Sequence, residues 1–318
     1  MLFRSSITWS MKIYHNIDLF QPVPNPVVTV GTFDGVHLGH QQIFDLMKEE
    51  ALRCGGETVV VTFFPHPRLV IHPDSKNLKF INTQERKYEI ISQNKIDHLI
   101  IIPFTREFSN LSAGEFVKRY LIEKIKMHKL IVGYDHHFGK DRLGGYNELK
   151  GLGKIHGFDL REVPAMIIDG VPVSSTKIRN ALVEGKIRLA NSLLGYYYSI
   201  SGKVVYGNRI GRTIGFPTAN IEQDDEYKLI SAVGVYACKV DYHGSIYKGM
   251  GNIGYRPTID VGNLTIEVNI FDFDEEIYGE HIIIYFIERI RDEQKFENLS
   301  ALRDQLTIDR AKALELLK

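Results

Sequence analysis

The sequence predicts two domains: an α/β domain built on a doubly wound parallel sheet, then an antiparallel β-barrel with a terminal helix. At 318 residues the chain is longer than most single domains, which favours two hydrophobic cores. In the first half, short β-branched runs alternate with helical segments. From about residue 185, strand-like runs follow one another with no helix between them. The first pattern indicates parallel strands joined by helical crossovers, and the second a closed or nearly closed barrel.

Five apolar runs of the first half are interpreted as parallel strands. One helical segment between them opens with a capping box, because Ser112 is followed three residues later by Glu115. Ligands of doubly wound sheets bind at the carboxyl ends of strands. The segment GTFDGVHLGH, which follows the first run, is therefore expected at the binding edge. The five runs are VVTVG, TVVVTFF, HLIIIPF, KLIVG and FDLREVP.

Five further runs in the second half alternate with turns rich in Gly, Asn and Asp, which is typical of antiparallel strands. A single helix is predicted at the end of the chain, in NLSALRDQLTIDRAKALELL, with Leu299, Leu302, Leu306 and Ala313 among its apolar positions. The strand-like runs are YYYSISGKVVYG, GVYACKVDYHG, SIYKGMGNIG, TIEVNIFDFD and HIIIYFIERI.

Charge and cysteine content limit the partners and the compartment. Lys plus Arg equals Asp plus Glu at 39 each, so no net field draws the chain to nucleic acid or to an anionic membrane. The longest apolar runs are too short to span a bilayer. Cys54 and Cys238 lie far apart without CxxC spacing, which argues against a disulfide framework or structural zinc and fits a reducing cytosol. We expect a cytoplasmic protein with no nucleic-acid or membrane partner; the oligomeric state is left open.

The first strand is followed by two histidines spaced i, i+3, His37 and His40, which share a face if they lie on a helix. A metal site is disfavoured, because no third ligand is evident and HExxH is absent. At the positive end of a helix dipole the pair forms an anion site, where imidazoles can donate to phosphate oxygens. Gly31, Gly35 and Gly39 would let the backbone and a phosphate approach closely. The alternative is a glycine-rich turn whose histidines only cap the helix.

The whole string GTFDGVHLGHQ resembles the HxGH motif of the nucleotidyltransferases, a superfamily with a Rossmann-like sheet, and is most similar to the version in prokaryotic FAD synthetases. Three further segments resemble that family in the same order. TFFPHP (62 to 67) is similar to its TFxPHP motif, and VGYDHHFGKDRLGG (132 to 145) to its loop with FG, Arg and Gly. VSSTKIRNAL (173 to 182) is similar to its SSTxIR motif.

The resemblance implies adenylyl transfer from ATP, in which His37 and His40 stabilise the transferred phosphate. It also implies that Ser175, Thr176 and Arg179 hold the triphosphate. His136 stands where relatives carry an aromatic residue, which puts the flavin or adenine contacts of that loop in question. The nucleotide contacts that the resemblance assigns in this half are Gly31, Phe33, Asp34, Gly35, Gly39, Asp135, Arg142, Ser175, Thr176 and Arg179.

The barrel half contains GNRIGRTIGFPTANI (207 to 221), whose glycines recur every four residues. The string lacks the GK[ST] ending of a phosphate loop, and for the glycines alone a bulged hairpin is the simpler interpretation. FPTAN, however, matches the PTAN motif of riboflavin kinases. The resemblance assigns nucleotide contacts to Gly211, Gly215, Pro217, Thr218 and Asn220, and Mg²⁺ contacts to Thr218 and Asn220.

Strand alternation in TIEVNIFDFD places Ile266, Val268 and Ile270 on one face and Glu267 and Asn269 on the other, with Phe271. Glu267 could be a solvated residue of an amphipathic strand, or a base in a pocket where partial desolvation favours proton uptake. The surrounding segments GVYA, NIGYRPT, YG and RDEQKF are similar to riboflavin kinases, where this Glu is the general base. Asn269 replaces a His that is common in those relatives.

The resemblance extends from about residue 12 to the end and implies a bifunctional enzyme of flavin cofactor synthesis. Riboflavin would be phosphorylated to FMN with Mg-ATP, and FMN adenylylated to FAD, so that riboflavin, FMN and ATP are substrates and Mg²⁺ is the cofactor. Three alternatives are kept: a monofunctional relative with one inactive domain, an HxGH nucleotidyltransferase with another phosphate acceptor, and a non-catalytic flavin-binding regulator. The predicted divisions are a tail (1–11), an FMN adenylyltransferase domain (12–185) and a riboflavin kinase domain (186–318).

Overall fold

A computed structural model describes most of the chain, which folds into two compact units. We call them unit 1 and unit 2. The predicted boundary between residues 185 and 186 stays a prediction. Unit 1 is formed by residues 1–78 and 84–173, and unit 2 by residues 79–83 and 174–318. The described residues are 11–72, 78–134, 145–207, 209–255 and 264–318.

Unit 1 contains a six-stranded, entirely parallel sheet. The five predicted strands are confirmed as β2 to β6, and a short first strand was not predicted because three residues carry no readable period. A two-stranded hairpin follows the sheet. The strands are β1 (Lys12–Tyr14), β2 (Val27–Val30), β3 (Thr58–Phe64), β4 (His98–Pro103), β5 (Lys129–Gly133), β6 (Asp159–Val163), β7 (Ile167–Ile168) and β8 (Val171–Pro172).

The strand order of this sheet is β1-β4-β3-β2-β5-β6. The chain moves outward from β2 through β3 to β4 and then crosses back to place β5 on the other side of β2. Such a reversal opens a crevice at the carboxyl ends of the two strands beside it, where doubly wound sheets bind ligands. The segment after β2 is GTFDGVHLGH, so it lies at the edge of the reversal, at the carboxyl end of a strand as the sequence predicts.

Helices cover the sheet of unit 1. The predicted capping box is confirmed: Ser112 Oγ accepts from the Glu115 amide at 3.2 Å, and the Glu115 carboxylate accepts from the Ser112 amide at 3.0 Å. The helix widens after one turn into a π-helical segment, Val117–Ile122. The α-helices are α1 (Leu38–Cys54), α2 (Pro67–Ile71), α3 (Gln84–Gln93), α4 (Arg106–Ser109), α5 (Ala113–Phe116) and α6 (Tyr146–His156).

Unit 2 contains the predicted barrel, which is closed in the order β10-β13-β12-β11-β14-β9. All of its pairings are antiparallel, so strand alternation directs one set of side chains into the core. The strands are β9 (Ser199–Val205), β10 (Ala219–Gln223), β11 (Gly234–Tyr242), β12 (Ser245–Tyr255), β13 (Leu264–Ile270) and β14 (His281–Arg291).

Within the described residues of unit 2, four helices accompany the barrel: α7 (Ser175–Val183), α8 (Ile187–Leu194), α9 (Ile210–Thr213) and α10 (Leu299–Leu316). The last is the predicted terminal helix. The expectation that no helix falls between the strand-like runs is wrong at α9, a single turn between β9 and β10. Gly211 allows this turn, because its carbonyl accepts from the Phe216 amide at 2.8 Å and a Cβ on it would lie only 2.1 Å from Phe216 O.

Residues 79–83 interrupt unit 1, because they pack as part of unit 2. The Phe80 amide donates to Tyr227 O at 2.8 Å, and the Leu229 amide donates to Phe80 O at 2.7 Å. The Lys228 ammonium donates to Ile81 O, and Ile81 is fully buried. The segment is therefore held by both backbone pairing and burial, and α3 begins directly after it.

The terminal helix is fixed to the barrel by one buried ion pair. Asp309 of α10 is 1% exposed, and its carboxylate accepts from the Arg291 guanidinium of β14 at 3.0 Å and 2.7 Å. Gln305 donates to the same carboxylate at 2.9 Å. Because both oxygens of a buried carboxylate are satisfied, the pair specifies how α10 lies against the barrel.

Asp309→Ala is expected to lower the free energy of unfolding by about 3–5 kcal/mol, because the Arg291 guanidinium would lose its buried carboxylate. Asp272→Asn is the control: it removes the charge from the pair with Arg310, 3.1 Å long and formed by exposed groups. Asn tolerates the left-handed backbone of this position, φ 54°, so the variant should change the same quantity by less than about 1 kcal/mol. Denaturant unfolding of both variants checks this. Similar small losses would show that the buried pair does not hold the helix.

Candidate active sites

The first site lies in the loop between β2 and α1. This loop contains three residues with left-handed backbone conformations: Phe33 (φ 50°), Gly35 (φ 83°) and Val36 (φ 36°). Only the glycine adopts such a conformation without strain. Phe33 and Val36 are 3% and 0% exposed, so burial of their side chains offsets the strain. The loop thereby turns the chain sharply from the strand into the helix.

His37 occupies the N-cap position of α1, and His40 lies in its first turn. The His37 side chain makes no capping hydrogen bond, so the interpretation of the pair as a simple cap is wrong. Instead the two imidazole rings stack, with centroids 3.6 Å apart and planes inclined by 17°. Phe33 packs edge-on against His40 at 5.1 Å. Gly39 permits this stack, because a Cβ there would lie 3.3 Å from the His37 ring.

His40 is held in its neutral form. Its Nδ1 atom is buried and has no hydrogen-bond partner among the described residues, although part of the ring is exposed. Desolvation lowers the pKa of His40 well below its usual value, and the positive charges of His37 and Lys87 lower it further. A neutral imidazole donates through one nitrogen only. His40 can therefore donate one hydrogen bond to an anion at physiological pH without changing its own charge.

A buried lysine from α3 lies against the same loop. Lys87 is 6% exposed, and its Nζ atom lies 3.3 Å from Thr32 O and 3.5 Å from Thr62 Oγ1. Desolvation lowers the pKa of Lys87 to about 8, while Asp34 raises it. Asp34 is itself 7% exposed. A cation, a carboxylate and two histidines are thus collected within one small region of unit 1.

The SSTxIR segment starts a helix, as predicted. Ser174 is the N-cap of α7, and its hydroxyl accepts from the Lys177 amide at 3.3 Å. Ser175 and Thr176 are the first two helical residues, and Arg179 follows on the next turn. The helix start presents backbone amides and two hydroxyls, which is the arrangement that binds phosphate. This helix is part of unit 2.

The second site is built on neighbouring barrel strands. Asn220 of β10 stands directly opposite Glu267 of β13, and Asn252 of β12 stands opposite Glu267 on its other side. Residues that face each other across antiparallel strands project to the same side of the sheet. The carboxylate of Glu267 therefore lies between two amides, and the amide of Asn220 rests on the backbone of Gly207, where a Cβ would be 2.2 Å away.

Thr218 joins this row. Its hydroxyl donates to Glu267 Oε2 at 3.1 Å, and no described residue donates to Oε1. The two predicted residues, 49 positions apart in the chain, are thus in direct contact. The predicted faces of β13 are confirmed for Ile266, Val268 and Ile270, which are buried. The opposite face is partly covered as well, because Asn269 is buried and Glu267 is half-buried rather than fully exposed to solvent.

Asn269 explains how the PTAN segment is held. It is 6% exposed, and its Nδ2 donates to Pro217 O at 2.6 Å. The ring of Pro217 fixes φ just before Thr218. The side-chain amide of Asn269 fixes the peptide bond between Pro217 and Thr218 by donating to its oxygen. The hairpin that the glycines of 207–221 suggest is present, because β9 and β10 are consecutive and pair antiparallel. Its connection contains α9 and a turn at Gly215 (φ 85°) in place of simple bulges.

Two family models match the chain: one described as FAD synthetase over residues 21–177, and one described as riboflavin kinase over residues 194–317. A bifunctional riboflavin kinase/FMN adenylyltransferase of Listeria monocytogenes is 40% identical, with 90% of each chain covered. The Escherichia coli K12 protein with the same description is 34% identical, with 96% of this chain and 97% of that protein covered. The chain belongs to this bifunctional family. It has both activities, riboflavin kinase and FAD synthetase.

A solved structure supports the fold over nearly the whole chain. It is described as a macrolide-efflux protein from Streptococcus pneumoniae, is 32% identical, and superposes with a TM-score of 0.86 over 95% of this chain and 97% of that one. Within the described ranges, no helix of the enzyme is long and apolar enough to cross a membrane. Membership in the family removes the alternative of a nucleotidyltransferase with another acceptor, and the two activities remove the regulator and the monofunctional relative.

The structure brings His37 and His40 together in unit 1, and Thr218, Asn220 and Glu267 together in unit 2. Asp135 and Arg142 lie outside the described residues. Sequence reasoning missed Lys87 and Asn252. A signal for Asn252 was available, because Asn252 begins the segment NIGYRPT that is similar to riboflavin kinases. Only the folded structure shows that Lys87 is buried beside the histidines.

Asn269→Leu is expected to slow riboflavin phosphorylation by roughly 10- to 100-fold, because Pro217 O loses its donor and Thr218 shifts away from Glu267. Asn269→His keeps a donor and should lose much less. Both rates are measured as FMN formation from riboflavin, with FMN adenylylation in the same preparation as the control. Equal rates for the two variants would show that the amide does not position the PTAN segment.

Proposed function

We propose that the two activities use the two described sites separately: the stacked histidines of unit 1 for FMN adenylylation, and Glu267 of unit 2 for riboflavin phosphorylation. The observation that supports this most strongly is the contact between Thr218 and Glu267, with Asn220 in register beside them. The riboflavin kinase resemblance assigns roles to Thr218, Asn220 and Glu267. Glu267 is distant from the other two in the sequence and lies beside them only in the folded chain. Such convergence of polar groups is typical of a catalytic site.

In adenylyl transfer, a phosphate oxygen of FMN attacks the α-phosphorus of ATP. A new phosphorus–oxygen bond forms while the bond to the β-phosphate oxygen breaks, and pyrophosphate leaves with the electron pair. No protein nucleophile is needed, so charge stabilisation and orientation supply the rate. We assign to His37 and His40 the hydrogen bonds to the oxygens of the transferred phosphate.

The nucleotide contacts of the adenylyltransferase follow the family resemblance. Gly31, Gly35 and Gly39 keep the nucleotide contacts that the resemblance gives them, and Phe33 and Asp34 belong to the same loop. Ser175, Thr176 and Arg179 are assigned to the triphosphate, which suits the exposed amides and hydroxyls at the start of α7. Asp135 and Arg142 keep the nucleotide contacts that the resemblance gives them.

In the kinase reaction, the 5′-hydroxyl of the ribityl chain attacks the γ-phosphorus of ATP, and ADP leaves. The hydroxyl proton goes to the carboxylate of Glu267. Because Thr218 donates to Oε2, Oε1 is the oxygen in position to accept this proton. The donor bond from Thr218 also orients the carboxylate, which is what a general base requires.

Mg²⁺ fits the oxygen atoms at this site. The hydroxyl of Thr218 and the amide oxygen of Asn220 are hard ligands, and Mg²⁺ is usually held by few protein groups together with substrate phosphates. When bound, the ion would neutralise phosphate charge on ATP. Gly211, Gly215 and Pro217 would complete the nucleotide contacts of the same loop.

The partners we propose are the small molecules riboflavin, FMN and ATP, with no nucleic acid and no membrane. The balanced charge of the chain supports this. A cytoplasmic location is proposed because Cys54 and Cys238 are both free thiols, as expected in a reducing compartment. We also propose that residues 12–185 form the FMN adenylyltransferase domain and that residues 186–318 form the riboflavin kinase domain.

His40→Ala should slow conversion of FMN to FAD by on the order of 10²-fold or more, the usual effect of losing a group that stabilises developing charge. The rate of FMN formation from riboflavin should be unchanged. Chromatography of products from parallel incubations of riboflavin and of FMN with Mg-ATP measures both rates. An equal fall in the two activities would contradict two independent sites.

Glu267→Gln should slow FMN formation by roughly 10²- to 10⁴-fold, because the amide cannot accept the hydroxyl proton. The variant keeps the shape of the side chain and a polar contact for Thr218. FMN that is supplied directly should still be converted to FAD at the normal rate, which serves as the internal control. Normal FMN formation would remove Glu267 from the mechanism.

A further inference from the structure

Lys87 is a buried cation in an unfavourable position. Its exposure is 6%, and its two contacts, to Thr32 O and Thr62 Oγ1, are long at 3.3 Å and 3.5 Å. It also lies in the first turn of α3, where the helix dipole is positive. Desolvation dominates and lowers the pKa of the ammonium to about 8. A charged group in such surroundings reduces stability, which points to a functional reason for its presence.

Its surroundings connect Lys87 to the reacting groups. Thr32 belongs to the GTFDG loop, and Thr62 lies on β3, so one ammonium links the loop to the neighbouring strand. Among the described residues, the titratable groups around Lys87 are Asp34 from the loop, the His37–His40 pair, and Tyr88 from α3 itself. The Lys87 Nζ atom lies 5.9 Å from the centroid of the Tyr88 ring. Its charge acts on His40 directly and favours the neutral imidazole.

We propose that Lys87 is a positioning residue for adenylyl transfer. Its contacts with Thr32 and Thr62 fix the GTFDG loop. Its positive charge lies near the His37–His40 pair and stabilises the negative charge that develops on the transferred phosphate. The residue is too deeply buried to be assigned to the substrate surface, so it acts through the loop and through its electric field. The proposal rests on the roles of His37 and His40 proposed above.

The charge of Lys87 gives the reaction a pH dependence with a defined sign. The ammonium is protonated below its pKa and loses its charge above it. Since that pKa is about 8, kcat/KM for FMN adenylylation should fall as pH rises through about 8. The pH dependence of kcat/KM reflects the pKa values of groups in the free enzyme, so the phosphates of bound substrates do not shift the pH of this fall, which we call the limb near pH 8. Riboflavin phosphorylation by the same enzyme preparation should lack this limb.

The experiment uses the full chain with Lys87→Met, which keeps length and removes the charge. We expect kcat/KM for FMN adenylylation at pH 7 to fall by roughly 10- to 100-fold, the limb near pH 8 to disappear, and FMN formation from riboflavin to be unchanged. The pH profile distinguishes this role from a purely structural one, because a lysine that only supports the fold would lower kcat/KM without removing the limb.

Lys129→Met is the matched control. Lys129 is another largely buried lysine of unit 1, but it lies at the amino end of β5, beside Glu50 at 2.7 Å and away from the binding edge. The Lys129→Met variant should have a lower free energy of unfolding, but its adenylylation rate and its limb near pH 8 should be those of the unmodified enzyme.

Three outcomes would overturn the proposal: no limb near pH 8 in the unmodified enzyme, a limb that persists in Lys87→Met, or normal adenylylation by that variant. His40→Ala distinguishes a failure of the role proposed for Lys87 from a failure of the role assigned to the histidines. If His40→Ala is slow and Lys87→Met is normal, only the role of Lys87 falls. If both are normal, the assigned role of the histidines falls as well.

Discussion

The adenylyltransferase site depends on a strained turn that burial holds in place. Phe33 and Val36 adopt left-handed backbone conformations that cost on the order of 1–3 kcal/mol each for residues with side chains. Both side chains are buried, and burial of such groups returns a comparable free energy. Without that burial, the start of α1 would not meet the end of β2 so closely, and the two histidines would not share one face beside the loop. Local strain and ring stacking are therefore parts of the same arrangement.

The kinase site depends on register rather than on strain. In a closed barrel each strand has two fixed neighbours, so a shift of one residue would move Glu267 away from Asn220 and Asn252 and into the core. The pairing of Glu267 with Asn220 and Asn252 is fixed along β13 by the buried row Ile266, Val268 and Ile270. The core thus determines where the polar row lies. The two sites show two ways of placing a few polar atoms accurately with ordinary secondary structure.

Much of the fold could be predicted from the sequence, because β-branched runs, turn residues and a capping box are local signals. The strands β2 to β6, the barrel and the terminal helix follow from them. The three-residue β1 and the single turn of α9 could not be predicted, since neither is long enough to show a period. Among the candidate site residues, those in motifs could be proposed from the sequence, and the structure places two of them, Thr218 and Glu267, in contact. Lys87 was missed because its burial and its neighbours come from three separate segments of the chain.

The excursion of residues 79–83 from unit 1 into unit 2 means that the enzyme cannot be separated cleanly at one point of the chain. A fragment that ended at residue 173 would keep these residues but lose Tyr227 and Leu229, which pair with Phe80. The buried side chain of Ile81 would then face water, just ahead of the helix that carries Lys87. The complementary fragment would lack the acceptor of the Lys228 ammonium. The division between the two activities is thus a property of the folded chain and not of a linker.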